Sequence, residues 1–189
     1  MNLGLIIRRV IWYLMNLSSA LFVASLYLVK CQIMLPLFEY KWINVLLSYT
    51  FFFGVPILLS IIFICLAKQT CSDDSLQHPV QKVSSANKEY LPVYLSYFFV
   101  SLSIPGDVEE GIAYGVLIVF ILIIWVFTSL TTTYYFNPLL LLMGYQFYNV
   151  TSNNGIELFV ISRRVIRKNE KNIIFPNLKK FTELVYIEI

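Results

Sequence analysis

A chain of 189 residues that is 58% hydrophobic and only 13% charged, with a mean hydropathy of +0.72, is not a water-soluble globule, since soluble domains carry about 25% charged residues. Its net charge of +3, single histidine and three cysteines exclude a strongly basic nucleic-acid-binding domain, a histidine-rich metal centre and a disulfide scaffold. Composition instead points to an α-helical integral membrane protein, because a span needs roughly 20 apolar helical residues.

The first apolar segment, residues 10–29, follows Arg8 and Arg9. Its start has the outline of a signal peptide, with Ser18, Ser19 and Ala20 after the first apolar residues. The apolar run continues to Val29, however, so an uncleaved anchor is expected. Asn16, Ser18, Ser19 and Ser25 place polar groups inside this span, and Ala20 and Ala24 form a small-xxx-small pair. Gly111 and Gly115 repeat that spacing at the start of the last span. Such residues let helix backbones approach and hydrogen-bond. They fit packing within one molecule, an interface between copies, or the lining of a pore.

A short outer loop, 30–41, leads to the second span, 42–66, in which Gly54-Val55-Pro56 predicts a kink. Residues 67–89 are polar and read as a flexible inner connector. The third segment, 91–104, is short for a crossing, yet Tyr90, Tyr94 and Tyr97 can anchor it at an interface while Lys88 snorkels. An outer turn, 105–111, carries Asp107, Glu109 and Glu110, either as a wet hairpin tip or as an acidic ring in an oligomer. The fourth span is 112–130. With four crossings, every Lys and Arg except Lys30 and Lys41 lies on one side, which the positive-inside rule makes cytoplasmic. Both termini are then cytoplasmic.

Residues 1–133 therefore read as a four-span bundle, and 134–189 as a small cytoplasmic β-rich tail. Asn137-Pro138 marks a helix end, and residues 145–151 and 156–162 flank Asn154-Gly155, a type I′ hairpin signal. A two-residue turn there sets Val150 opposite Phe159 and Tyr148 opposite Ile161. A third strand is expected over 184–189. So few strands do not stand alone in water, and the tail must pack on itself, on the helices, on a second copy or on another protein. Tyr148, Phe159, Arg163, Arg164, Arg167 and Lys168 are the expected tail or partner interface. The basic residues among them fit topogenic charge with lipid contact or an acidic soluble partner. Seven basic residues against Glu157, Glu170, Glu183 and Glu188 give too small an excess to expect direct nucleic-acid binding.

No phosphate-binding loop, paired-histidine metal motif or serine elbow is present. The expectation is a non-enzyme without metal or cofactor.

The tail motifs Asn137-Pro138-Leu139-Leu140, Gly144-Tyr145, Tyr148, Asn154-Gly155 and Ile161-Ser162-Arg163-Arg164 look like the cytoplasmic end of a group of small bacterial membrane proteins. The whole layout resembles the membrane component of the Kiwa anti-phage defence system. That resemblance implies a non-enzymatic sensor of infection in the bacterial inner membrane, assembled as a homo-oligomer (a tetramer) and holding a soluble DNA-binding effector, Kiwa protein B. Two other readings stay open on residues alone: an oligomeric ion channel that depolarises the membrane, and an accessory subunit of a transport complex.

Overall fold

The computed structural model describes residues 3–70, 80–104, 110–130, 136–152, 155–166, 175, 178–182 and 184–188. Among them are five helices and five strands: α1 (Leu3–Lys30), α2 (Lys41–Thr70), β1 (Val80–Ser85), α3 (Asn87–Ser103), α4 (Glu110–Leu130), α5 (Pro138–Leu142), β2 (Gln146–Ser152), β3 (Glu157–Ser162), β4 (Leu178–Lys180) and β5 (Val185–Glu188).

The bundle is organised around α1, which contacts α2, α3 and α4. Its small and polar residues explain that central place. Ser18, Ser19, Ala20, Ala24 and Ser25 are all buried, and short side chains admit close neighbours. Ser25 Oγ donates to the Phe52 carbonyl of α2 at 2.7 Å, and Ser101 of α3 donates to the Val23 carbonyl at 3.3 Å. Phe22 meets Phe53 and Phe98 edge-on, bridging α1 to α2 and α3. The helix directions follow from the end contacts. Arg8 donates to the Thr70 carbonyl (3.2 Å), Trp125 Nε1 to the Tyr13 carbonyl (3.4 Å), and Lys30 to the carbonyls of Leu102 and Ile104. Thus α2 and α4 run antiparallel to α1, and α3 runs parallel to it.

Among the described residues, two helices are long and apolar enough to cross a membrane, over Ile6–Lys30 and Lys41–Thr70; Tyr114–Ser129 of α4 is a shorter apolar stretch. By length and composition alone, this falls short of the four crossings read from the sequence. Helix α2 runs uninterrupted through Pro56.

The strands form one sheet in the order β1-β2-β3-β5-β4. All neighbours are antiparallel except β3 and β5, which are parallel. Three expectations change here. The inner connector is not wholly loop: α2 extends to Thr70, Val80–Ser85 is an edge strand of the sheet, and α3 begins at Asn87. Strand β1 pairs with β2, so the sheet takes residues from either side of α3 and α4. Second, Asn137-Pro138, non-helical at Asn137 as expected, also starts a new helix. The Asn137 side chain accepts from Leu139 N, and proline fills the first helical position, where its missing N–H is harmless.

Third, the hairpin register is displaced by one residue. Val150 pairs with Leu158 and Tyr148 with Val160, whereas Phe159 lies opposite Asn149. The cause is the turn. Gly155 has φ +75°, its N–H donates to Ser152 O, and Ser152 N donates to Ile156 O, leaving three residues inside the closing pair. A three-residue loop with a left-handed glycine is the next commonest hairpin after the two-residue type. One residue of slip exchanges sheet faces. Tyr148, Val150, Leu158, Val160 and Tyr186 therefore share one face, with Phe175 and Leu178 in their core. Phe147, Phe159, Ile161, Val185 and Ile187 share the other.

That second face does not look into water. It forms one continuous core with Ile11 and Met15 of α1, Phe63, Ile64 and Ala67 of α2, and Tyr90 and Tyr94 of α3. The sheet is thus seated on one end of the bundle, against the first halves of α1 and α3 and the last turns of α2, which supplies the packing that so small a β unit lacks.

Candidate functional site

The seam between bundle and sheet holds a densely connected buried polar group. Asn137 is fully buried, and its position follows from local chemistry: an extended residue capping α5. Its Oδ1 accepts from Leu139 N at 2.8 Å. Its Nδ2 donates to Ser18 Oγ at 2.8 Å, with Met15 O at 3.3 Å and Ser60 Oγ at 3.4 Å. Ser60 also donates to Ser18 Oγ (3.1 Å), and Ser18 donates to Met15 O (2.7 Å). The Ser18 hydroxyl accepts two hydrogen bonds and donates one, its full capacity. A single amide therefore ties α5, the entry to the sheet, to α1 and α2.

Next to it lies a second link. Tyr94 Oη donates to the Phe136 carbonyl at 2.7 Å and lies 3.2 Å from Ser19 Oγ. The Phe136 ring packs against Tyr90, Tyr94 and Phe147, with centroids 5.8, 5.2 and 4.8 Å away. Tyr90 and Tyr94 were expected at a membrane interface; both are buried and face this core, because Tyr94 finds its hydroxyl partners there. A third link joins α3 to the sheet. Asn87 donates to Gln146 Oε1 (2.6 Å) and accepts from Phe147 N (3.1 Å), and Ala86 N donates to Phe147 O (2.9 Å). In a low-dielectric core such links resist separation, since an unpaired buried polar group costs about 1–3 kcal/mol.

The residues singled out from the sequence fall in several places. Ser18 belongs to the Asn137 network. Asn16 is buried beside it on α1, with its Nδ2 lacking a partner among the described residues. Ala20 packs with Ile124 and Ala24 with Leu117, so this small pair serves the α1–α4 contact within one molecule. Gly115 faces open space: a Cβ there would meet nothing within 4 Å. Gly111 and Glu110 lie at the start of α4, and Asp107, Glu109, Arg167 and Lys168 lie outside the described residues.

Tyr148 and Phe159 are both buried, on opposite sheet faces, and so build the tail and are not exposed on its surface. Tyr148 Oη donates to Arg164 O (2.9 Å) and accepts from Ile166 N (3.0 Å), which fixes the turn after β3. Arg163 and Arg164 are exposed on that turn, and the Arg163 guanidinium carbon sits 4.7 Å from the Tyr145 ring centre. No cluster of three metal-binding side chains occurs among the described residues.

Ser60 and Asn87 escape a sequence reading because each sits in an apolar stretch or at a boundary, whereas Tyr94 and Asn137 are read there as an interface anchor and a helix end. The one available signal was an asparagine directly before a proline, which marks a helix start as well as a helix end.

The family model for anti-phage protein KwaA matches residues 9–187, and the chain belongs to that family. No curated protein and no solved structure matches it.

Proposed function

We propose that this anti-phage protein is a non-enzymatic sensor and scaffold of the bacterial inner membrane, with four spans and both termini in the cytosol. In this reading it assembles as a homo-oligomer, a tetramer by resemblance to the Kiwa membrane component, and holds a soluble DNA-binding effector beneath the membrane. The observation that carries the proposal is the shared core of bundle and sheet. A disturbance that shifts the helices must also move the sheet, because the same side chains pack both. The alternating helix directions support four crossings: α3, at 17 residues, is about 25 Å long, and α4, at 21 residues, about 32 Å. The short α3 reaches across a thinned or locally adapted bilayer.

The test is purification of the intact protein from membranes in mild detergent, alongside reconstitution into liposomes. The proposal expects an oligomer that retains a soluble DNA-binding protein and no ion flux. Flux without a retained partner would replace the scaffold with a channel. Fusion of a reporter after residue 189 checks the topology, and a periplasmic signal there would remove the cytosolic platform.

A further inference from the structure

Helices α3 and α4 both pack on α1, and at the end of the bundle away from the sheet they leave an open groove of about 480 Å³. Ile104, which caps α3, forms one wall, and Ile112, Gly115, Val119 and Ile123 form a stripe along α4. Their spacing of three and four residues puts the stripe on one helix face. Every side chain that lines the groove is apolar. Gly115 leaves it open, since a Cβ there would meet nothing within 4 Å. At the mouth stands a cation. Lys30 Nζ donates to the carbonyls of Leu102 and Ile104, the latter at 2.6 Å, so it lies beside the residue that walls the groove. The Lys30 side chain is exposed, and the third N–H of its ammonium has no partner among the described residues.

We propose that this groove holds one acyl chain of an outer-leaflet zwitterionic phospholipid, whose phosphate is bound by Lys30. The inference rests on the membrane reading above. Depth argues for a lipid tail. From Ile112 to Ile123 the stripe runs about 16 Å along α4, and one leaflet contributes about 15 Å of the hydrocarbon core. A transmembrane helix of a second copy would be matched by a groove along the full length of α4, and this one stops at Ile123. Charge fits as well. An ammonium at the top of an apolar slot meets a phosphate at the depth where a phospholipid carries it, and donates a charge-assisted hydrogen bond. Lys30 and Lys41 are the basic residues at this end, against Glu39, Glu110 and the Asp107 and Glu109 of the connecting turn. That acidic excess disfavours a lipid of net negative charge. A zwitterionic head, which brings its own cation, is the better fit.

The experiment is native mass spectrometry of the full chain extracted in mild detergent, with synthetic phosphatidylethanolamine or phosphatidylglycerol titrated in. One phosphatidylethanolamine per chain is expected to stay bound. G115L fills the groove at a helical position free of backbone strain and should weaken that binding roughly ten-fold, as should V119W. I118W, on the neighbouring exposed stripe of α4, should leave it unchanged. K30Q should weaken it roughly five-fold, and K30R should retain most of it. An equal loss with I118W overturns the groove as the site, and tighter binding of phosphatidylglycerol overturns the choice of head group. If G115L and V119W disperse an oligomer and leave the lipid bound, the groove is an interface between copies and the proposal fails. Alkaline washing of membranes reads the premise separately. Protein that stays in the pellet but retains no lipid overturns the groove alone, whereas protein released to the supernatant overturns the membrane reading with it.

Discussion

Replacing Asn137 with alanine is the sharpest test of the seam. The substitution removes the cap on Leu139 N, a loss of about 1 kcal/mol. It also strips Ser18 and Ser60 of a donor in a buried site, worth roughly 1–2 kcal/mol in a helix-packed environment. The total, about 2–3 kcal/mol, corresponds to a drop in melting temperature of roughly 5–10 °C for a protein of this size. Thermal unfolding of the detergent-purified protein measures it. Asn137→Ser separates the two parts: serine still caps the helix but is too short to reach α2, so it should lie between wild type and alanine. A double-mutant cycle with Ser18→Ala should give a coupling of roughly 0.5–1.5 kcal/mol. A change in melting temperature below about 1 °C for Asn137→Ala, or strict additivity with Ser18→Ala, would refute the hub.

Other outcomes follow from the same contacts. Phe136→Ala, at a ring that touches Tyr90, Tyr94 and Phe147, should cost about 3–5 kcal/mol, read as a lowered melting temperature. Gly155→Ala has space for its methyl group but not the backbone freedom for φ +75°, so it should cost about 1 kcal/mol, with Gly155→Asn closer to wild type in denaturant titrations. Ala20→Leu overpacks the α1–α4 contact and should destabilise by about 1–3 kcal/mol, whereas Gly115→Ala on the open face should leave the melting temperature unchanged or raised. Equal losses for Ala20→Leu and Gly115→Ala would contradict the helix arrangement.

The helical part was legible because lipid-compatible stretches are long and their charges sit at the ends. Residues 10–29 and 112–130 lie wholly within α1 and α4. The strand at 184–189 was legible too, since Val185 and Ile187 alternate with Tyr186 and enter opposite cores. Position within the sheet was not. The parallel pairing of β5 with β3 depends on where the intervening chain returns, and alternation carries no such information. Strand β1 was read as connector because Val-Gln-Lys-Val-Ser-Ser is polar on its own, and it is a strand only because β2 presents an open edge to it. The hairpin failed by one residue: Asn-Gly serves both two- and three-residue turns, and that choice decides which face Phe159 occupies. The polar hub was hidden for a different reason. A serine in an apolar helix looks the same whether it bonds its own backbone or an asparagine far along the chain, as Ser18 does both.

The place of β1 has a further consequence for how the chain matures. This strand leaves the ribosome before α3 and α4, yet its only partner among the described residues, β2, is made after both. The ladder cannot close until both later helices have been synthesised. Closure of the sheet is therefore a late event in the chain's synthesis: Val80–Ser85 waits unpaired with β2 while α3 and α4 are made.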